Sequence, residues 1–293
     1  MNTDEGIGPI VVTGATGFIG RAVVAELRTR GIKTVAVARG KLAAPDGVDV
    51  IRMDTYDNLS FPAAAAIIHL AGEARVVEAN RAGAAHIEAE TELAKAVCES
   101  GAGRIVYSSS AQVYGDDGVR PNRPEDSAVN SAPYAEGKKA VENLVCAKGG
   151  AVARLSNVYG PGMASTLISD ILAQIPGTAP LRLIDADSQR DFLWISDAAI
   201  GLVDMALGTA TGIFNLASGK TWSAAEVARL ILALAGECGR ELEVLRKTEK
   251  PSIISLDIGQ TTDTFGWRPE TDLRSGIAQL MQNRVQERSG NAA

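Results

Sequence analysis

Apolar residues in the first half of the chain fall into short continuous runs separated by segments of helical periodicity. The runs are PIVVTG, KTVAVA, VDVIRM, AAAIIHLAG, RIVYSSS and AVARLS, and the helical segments cover about 17–30, 82–99 and 134–148. Continuous apolar runs of this length are typical of parallel strands that are covered on both faces. The alternation therefore predicts an α/β fold with a doubly wound parallel sheet and right-handed crossovers.

The pattern changes after Tyr159-Gly160-Pro161-Gly162, where shorter strands and helices are interrupted by IPGTAP. We therefore predict a larger doubly wound domain over 1–160 and a smaller C-terminal α/β domain over 161–293. Residues 190–208 have the pattern of a strand followed by a helix, and packing of this pair back on the first domain is an open alternative.

Composition excludes several classes of function. The chain has 293 residues, a net charge of -6 and a pI of about 5.1, so it has no general attraction for nucleic acid or an anionic membrane. Its N-terminus, MNTDEGIGPI, lacks the pattern of a signal peptide, and the apolar stretch 63–70 is too short to span a bilayer. Cys98, Cys146 and Cys238 show no metal-binding spacing. We expect a cytoplasmic protein with reduced cysteines and no metal site.

A glycine-rich turn, Gly14-Ala15-Thr16-Gly17-Phe18-Ile19-Gly20, lies directly between the first strand and the first helix. Glycines in this position bring backbone N–H groups close to a pyrophosphate at the helix N-terminus. A tight turn without a ligand is the alternative, but the position favours a dinucleotide. We therefore predict that NAD(P) is the cofactor and that the loop residues that bind it are Gly14, Thr16, Gly17, Phe18, Ile19 and Gly20.

The end of the second strand bears on the choice between NAD(H) and NADP(H). An acidic residue ~20 positions past the glycine loop holds the ribose 2′-hydroxyl in NAD-binding versions of this fold. Here the strand ends in Arg39 and Lys41, and a guanidinium pairs well with a 2′-phosphate. The sequence thus favours NADP(H), unless both are ordinary surface charges. Asp54, after the third strand, is a candidate neighbour of the adenine.

Three further residues form a candidate catalytic group. Tyr134 and Lys138 are four apart in a helical segment, so they share one helix face, and Ser110 ends the strand RIVYSSS. A tyrosine phenol, with a reference pKa of ~10, is a poor base at neutral pH, but a nearby ammonium stabilises its phenolate. A serine hydroxyl is able to hold the reacting carbonyl or hydroxyl group beside the phenol.

Several of these segments together identify a family resemblance. In this order and spacing, TGATGFIG, IIHLAG, YSSSAQVYG, YAEGK, RLSNVYGPG, RDF and FGWRP resemble the extended short-chain dehydrogenase/reductases, specifically the nucleotide-sugar epimerase/dehydratase branch. The resemblance covers the chain from Val11 to about Leu280. It implies a Rossmann-type dinucleotide-binding domain followed by a substrate-binding domain, and a homodimer paired through the helices at 82–99 and 134–148.

The resemblance also implies a role for individual residues. Ser110, Tyr134 and Lys138 would be catalytic, with Tyr134 exchanging the proton and Lys138 binding the nicotinamide ribose. The strand end at Leu70, Ala71 and Gly72 would lie against the cofactor. A nucleotide sugar would be the substrate, and the residues that would contact it are Ser109, Ser110, Asn157 and Arg190.

The chain departs from the family pattern in three places. Ala111 and Gln112 stand where dehydratases carry an acid and a base, which disfavours elimination of water. His86 stands where an asparagine is usual, and it either takes that polar role or lies on the helix surface. The second diphosphate-binding arginine is missing, and only Arg246, Lys247 and Lys250 are near its position.

These observations predict an NAD(P)-dependent oxidoreductase that acts on a nucleotide-activated sugar. A reductase of a 4-keto (6-deoxy) sugar nucleotide is the first hypothesis, because the basic end of the second strand suits NADPH. A nucleotide-sugar 4-epimerase is the alternative. A reductase of a non-nucleotide ketone and a non-catalytic, cofactor-sensing protein remain as further alternatives.

Overall fold

The computed structural model describes residues 8–38, 47–53, 59–116, 118, 120–163 and 166–290, with side chains described as far as residue 284. Arg39, Lys41 and Asp54, which bear on the predicted cofactor preference, lie outside the described residues.

The strands and helices follow one another in the alternating order that the hydrophobic pattern predicts. The strands are β1 (Ile10–Thr13), β2 (Thr34–Ala38), β3 (Val48–Arg52), β4 (Ala66–His69), β5 (Ile105–Ser110), β6 (Ala151–Leu155), β7 (Asn157–Tyr159), β8 (Leu181–Leu183), β9 (Gln189–Trp194), β10 (Gly212–Leu216), β11 (Thr221–Ser223), β12 (Leu242–Val244) and β13 (Ile253–Ile254). The helices are α1 (Phe18–Thr29), α2 (Val76–Ala82), α3 (Ala84–Glu99), α4 (Pro133–Ala147), α5 (Leu167–Ala173), α6 (Ile195–Leu207), α7 (Ala224–Leu234), α8 (Gly259–Phe265) and α9 (Leu273–Gly290).

A seven-stranded parallel sheet forms the centre of the molecule, with the order β10-β6-β5-β4-β1-β2-β3. Chain order reverses at β1, and the two βαβ halves diverge from there as in dinucleotide-binding folds. The predicted Rossmann-type α/β fold is confirmed. Because the strands are parallel, their carboxyl ends meet at one edge of the sheet, where such folds bind ligands.

Alternation along each strand divides the apolar residues between the two faces of this sheet. Ile10 and Val12 of β1 pack in one core with residues of α1 and α6. Val11, between them, packs in a second core with residues of α3 and α4. Successive side chains of a strand point to opposite faces, so one short apolar run supplies both layers.

Residues after 160 contribute to two regions. β10 completes the edge of the central sheet beside β6, and α6 packs against α1 on one face. α5, α7 and α9 surround a separate core in which Ile168, Val227 and Ile277 are fully buried. The smaller sheet there contains β9, which pairs with β7, β11 and β13.

The helical pattern at 82–99 differs in detail from its prediction as one segment. α2 ends at Ala82, and α3 starts at Ala84, because Gly83 adopts a positive φ of 60° between them. Glycine takes this conformation without the steric cost that a side chain would bring.

Within the described chain, no helix is both long enough and apolar enough to cross a membrane.

Candidate active site

The glycine loop between β1 and α1 packs tightly against the end of β4. Gly14 has a φ of +67°, and a Cβ atom there would lie 2.7 Å from the backbone nitrogen of Ala71. A Cβ atom at Gly20 would overlap the carbonyl oxygen of Gly14. Both positions therefore require glycine, since a side chain at Gly14 would push the loop away from the end of β4 and one at Gly20 would clash with the loop backbone itself.

α1 begins at this loop without a side-chain cap. Gly17 is its N-cap residue and makes no side-chain cap hydrogen bond. The first backbone N–H groups of a helix have no partner within the helix, and the helix dipole favours an anion in front of them. The local structure fits the pyrophosphate of a dinucleotide.

One cavity of about 620 Å³ lies at the carboxyl edge of the central sheet. It is lined by every predicted site residue within the described chain. These residues are Gly14, Thr16, Gly17, Phe18, Ile19, Gly20, Leu70, Ala71, Gly72, Ser109, Ser110, Tyr134, Lys138, Asn157 and Arg190.

A buried threonine–histidine pair joins β1 to β4 below the cavity. Thr13 Oγ1 accepts hydrogen bonds from the backbone nitrogens of Leu70 (3.2 Å) and Ala71 (3.3 Å) and lies 2.8 Å from His69 Nδ1. Burial, together with the nearby charge of Lys138, lowers the pKa of His69 to about 3, so the ring is neutral. The threonine hydroxyl therefore donates to Nδ1, and the imidazole carries its proton on Nε2.

Tyr134 and Lys138 lie on the first two turns of α4 and are both largely buried, at 8% and 7% exposure. Pro133 occupies the first turn, where its missing N–H has no cost. The side chain of Asn80 on α2 accepts a hydrogen bond of 2.9 Å from the backbone nitrogen of Tyr134. Asn80 thus caps a helix that is distant in sequence, a role that local patterns do not reveal.

The ammonium group of Lys138 is enclosed by aromatic rings and one carboxylate. Its Nζ lies 5.1 Å from the centre of the Tyr107 ring, 5.7 Å from that of Tyr134 and 3.9 Å from Glu90 Oε2. Burial alone would lower the pKa of Lys138, but these neighbours outweigh it and raise the pKa above its usual value. The lysine is therefore a fixed positive charge beside the tyrosine.

The hydroxyl groups of the serine run have different partners. Ser110 caps the short 3-10 turn Ala111–Tyr114, and its Oγ accepts a hydrogen bond of 3.2 Å from the backbone nitrogen of Gln112. Ser109 also lines the cavity, but its hydroxyl donates to Glu142. The proton of the Ser110 hydroxyl is thus available to the cavity, whereas that of Ser109 is used internally.

A buried ion pair between Glu142 and Arg154 supports the end of strand β5. Glu142 Oε2 accepts from Arg154 Nη2 at 2.7 Å, and Glu142 Oε1 accepts from Arg154 Nε at 3.0 Å. The guanidinium also lies 4.5 Å from the centre of the Tyr114 ring. Burial opposes the charge of Arg154, but Glu142 raises its pKa. This bidentate pair fixes Ser109 and the end of β5.

Arg190 reaches the cavity but is already hydrogen-bonded. Its Nη1 donates to the backbone oxygens of Gln189 and Ser252, both at 2.8 Å, and its Nη2 donates to Ser252 Oγ at 2.7 Å. Burial lowers the pKa of Arg190.

The other predicted substrate contacts differ in position. Asn157 is exposed in the cavity wall, whereas Arg246, Lys247 and Lys250 are exposed and do not line the cavity.

Comparison with known proteins places this geometry in a family. The model of the NAD dependent epimerase/dehydratase family matches residues 10–217. The chain belongs to this family. The family resemblance predicted from the motifs is confirmed, as is the prediction of an NAD(P)-dependent enzyme of the short-chain dehydrogenase/reductase type.

Several characterised relatives of this epimerase/dehydratase family member match nearly the whole chain. It is 28% identical to GDP-6-deoxy-D-mannose reductase of Pseudomonas aeruginosa, covering 95% of this chain and 98% of the relative. It is 27% identical to UDP-glucuronic acid decarboxylase 3 of Arabidopsis thaliana, covering 92% and 86% of the two chains. The structure of MoeE5 in complex with UDP-glucose and NAD superposes with a TM-score of 0.79 at 27% identity, covering 95% and 99%.

In this family member, His86 is a buried residue beside Tyr134 and not a surface histidine. It is 5% exposed, and its ring is nearly parallel to that of Tyr134, with an interplanar angle of 9° and centroids 6.2 Å apart. A Cβ atom on Gly137 would lie 2.8 Å from His86 Nε2, so the glycine makes room for the imidazole. His86 Nε2 has no hydrogen-bond partner among the described residues.

Carboxylates are absent from the described lining of the cavity. Ala111 is 4% exposed, and Gln112 is the polar side chain that follows Ser110 in the wall. Lys138 and Arg190 are the charged side chains of the described lining, and both are cationic. The wall therefore suits an anionic ligand and offers proton exchange through Tyr134, not through an acid.

Proposed function

We propose that this protein is an NAD(P)-dependent reductase of a nucleotide-activated keto sugar, with a 4-keto (6-deoxy) sugar nucleotide as the substrate. The observation that carries the proposal is the single cavity that contains the glycine loop, Ser110, Tyr134 and Lys138 but has no carboxylate in its described lining. Hydride transfer coupled to proton exchange requires a cofactor loop and the three side chains Ser110, Tyr134 and Lys138. Elimination of water requires in addition a carboxylic acid or an equivalent base.

The proposed roles follow from the contacts of each side chain. Bound NAD(P)H supplies the hydride to the carbonyl carbon. The Ser110 hydroxyl donates a hydrogen bond to the carbonyl oxygen and directs it towards Tyr134. The Tyr134 hydroxyl gives its proton to that oxygen, which completes the alcohol, and the phenolate then recovers a proton from solvent. Lys138 stabilises the phenolate through its ammonium charge.

The loop at Gly14–Gly20, the strand end at Leu70–Gly72 and Lys138 would hold the dinucleotide. NADP(H) is the form that Arg39 and Lys41 favour, and NAD(H) is the alternative because MoeE5 was solved with NAD. We expect the wild-type enzyme to show a higher kcat/KM with NADPH than with NADH. Replacing Arg39 by Asp should reverse that preference, and an unchanged ratio would remove Arg39 from the cofactor site.

Asn157 and Arg190 would contact the sugar nucleotide. Arg190 is tied to Ser252, so it would meet a diphosphate as a rigidly held donor and not as a mobile side chain. We expect Arg190→Ala to raise KM for a sugar nucleotide about tenfold or more, since a charge-assisted bond is worth ~1.5–3 kcal/mol. An unchanged KM would favour a non-nucleotide ketone as the substrate.

A nucleotide-sugar 4-epimerase is the second candidate, since the same three residues serve an oxidation followed by a reduction. The two functions differ in cofactor stoichiometry. A keto-sugar nucleotide that consumes one NAD(P)H per alcohol formed identifies the reductase. Turnover of a sugar nucleotide without net change in the cofactor identifies the epimerase and refutes our first choice.

The decisive experiment measures wild type and Tyr134→Phe against a panel of sugar nucleotides and their 4-keto derivatives. Loss of the phenol proton should lower kcat by about 10²–10⁴-fold, the contribution of a positioned acid. The chain offers a matched pair of lysines as a control. Lys138→Met should abolish activity, whereas Lys139→Met, which removes a surface pair with Glu136, should not change it.

We also propose that the protein is cytoplasmic, acts without membrane or nucleic-acid partners and forms a homodimer through α3 and α4, by analogy with its family. The outward face of α3 carries exposed Glu88, Glu92, Lys95 and Glu99. Association through this face would therefore depend on ionic strength. Light scattering at low and high salt tests the dimer, and a monomer under both conditions would contradict it.

A further inference from the structure

Glu90 is a buried acid in the second layer of side chains around the site. It lies on α3, is 4% exposed and does not line the cavity, whereas Glu88 and Glu92 on the same helix face solvent. A carboxylate is rarely buried to this extent unless a cation or hydrogen-bond donors compensate the lost hydration. The contacts of the Glu90 carboxylate therefore indicate its role in the protein.

Two groups compensate the Glu90 carboxylate: Lys138 of the candidate site and the backbone N–H of Glu73, the residue that follows Gly72. Glu90 Oε2 lies 3.9 Å from Lys138 Nζ, and Glu90 Oε1 accepts a hydrogen bond of 2.9 Å from the backbone nitrogen of Glu73. A Cβ atom on Gly72 would come within 2.6 Å of Oε1. Glu90 thus connects the lysine of α4 to the strand end that lines the cavity.

Four of the other titratable groups around Lys138 are neutral or paired elsewhere. His69 on β4 is neutral, with a pKa of about 3, and Tyr107 on β5 is held neutral because burial raises its pKa. Glu73 pairs with Arg75 at the surface, and Glu142, one turn further along α4, pairs with Arg154. His86 on α3 faces Tyr134. Glu90 is therefore the anion, among the described residues, that lies against the ammonium.

A carboxylate in this place changes what the lysine charge does. The ammonium favours the phenolate form of a nearby tyrosine, and an anion beside the ammonium cancels part of that effect. Proton donation to a carbonyl needs the phenol, whereas proton abstraction from an alcohol needs the phenolate. Partial neutralisation of Lys138 therefore favours the phenol form of Tyr134, which is the form that acts as the acid.

We propose that Glu90 is a positioning residue that fixes the ammonium of Lys138 and offsets part of its charge, so that Tyr134 keeps the proton that it donates in reduction. This inference rests on the proposed function, because it assumes that Tyr134 exchanges a proton with the substrate. This role explains why a carboxylate is buried beside Lys138, a lysine whose proposed catalytic role depends on its positive charge.

The test replaces Glu90 by Gln, which keeps the size and the acceptor for the Glu73 N–H but removes the charge. We expect the high-pH limb of the reduction rate, above which Tyr134 has lost its proton, to move down by about one pH unit, the lower end of what a nearby charge does to a pKa. KM for the sugar nucleotide should not change. Glu92→Gln removes an exposed acid from the same helix and should alter neither the reduction rate nor its pH limb.

A purely structural role would give a different result, in which Glu90→Gln lowers the reduction rate by the same factor at every pH and leaves the pH limb in place. That result would overturn the proposal. If Glu90→Gln does not fold, Glu90→Met provides the same test with an apolar side chain of similar size. Failure of both to fold, with Glu90→Asp folded, would show that the carboxylate is structural and would also overturn it.

A second measurement separates this inference from the proposed function. The near-ultraviolet phenolate absorbance of each protein, minus that of its Tyr134→Phe counterpart, follows the ionisation of Tyr134 without any substrate. Removal of the Glu90 charge should move this absorbance step to lower pH by about one unit. If wild type reduces no sugar nucleotide, the proposed function fails, and the absorbance shift still decides the role of Glu90.

Discussion

The contact between Gly137 and His86 yields a prediction that is specific to this chain. Gly137 lies in α4 between Tyr134 and Lys138, and a Cβ atom there would be 2.8 Å from His86 Nε2 and 3.1 Å from His86 Cδ2. Such distances are shorter than van der Waals contact, so Gly137→Ala requires the imidazole to move. His86 is 5% exposed and stacked beside Tyr134, so it has little room to do so.

Two effects of known size oppose each other in Gly137→Ala. Alanine is more favourable than glycine in a helix interior by ~1 kcal/mol. Overpacking of a well-filled site costs about 1–3 kcal/mol. In the wild-type background the variant should therefore lose between about 0 and 2 kcal/mol of unfolding free energy, and its activity should fall because the imidazole pushes on Tyr134.

Truncation of the histidine removes the clash but not the gain in helix propensity. In a His86→Ala background, Gly137→Ala should therefore stabilise the protein by about 1 kcal/mol. Denaturant unfolding of the four proteins in this cycle measures the coupling, which we expect to be about 1–3 kcal/mol. A coupling below ~0.5 kcal/mol, with Gly137→Ala stabilising both backgrounds, would refute the view that Gly137 exists to accommodate His86.

Three further predictions concern the support of the site. His69 has a folded pKa of about 3 against 6.5 in the unfolded chain, so the unfolded state binds more protons between these values. The contribution of neutral His69 to the free energy of unfolding should be fully present above pH 6.5. It should fall by ~1.4 kcal/mol per pH unit as pH decreases towards 3, and thermal melts of His69→Gln should lack this slope. Gly20→Ala should abolish cofactor binding in a fluorescence titration, because its Cβ atom would overlap the Gly14 carbonyl oxygen, and unchanged affinity would contradict this packing. Glu142→Met should cost about 3–5 kcal/mol in denaturant unfolding because it leaves the Arg154 guanidinium buried without a partner, and replacing both residues by Met should recover most of the loss.

Local patterns predicted the parts of the fold and the site that depend on neighbouring residues in the sequence. The apolar runs identified the strands because a strand buried on both faces needs apolar side chains at every position. The glycine loop and the pair Tyr134 and Lys138 were visible because a tight turn and one helix face are each defined within a few residues. These residues line one cavity, and their catalytic roles remain predictions.

Contacts between distant segments were not visible in the same way. Asn80 caps α4 through a single hydrogen bond to Tyr134, and nothing in its own helix marks that role. The proximity of Glu90 to Lys138 depends on how α3 packs on α4, which the periodicity of either helix does not determine. Arg190 was expected to face a diphosphate, but its three hydrogen bonds to Gln189 and Ser252 depend on the neighbouring strand β13.

The position of β10 at the edge of the central sheet has a consequence for synthesis in the cell. β6 and its edge are complete once residue 155 has been made, but their partner strand is residues 212–216. During translation the growing chain therefore carries an unpaired strand edge until more than fifty further residues have left the ribosome. At ~5–20 residues per second, this interval lasts several seconds, and an open edge is the type of surface that chaperones cover. Premature termination before residue 212 would make the exposure permanent, so truncated products should aggregate or be degraded and not accumulate as a folded half.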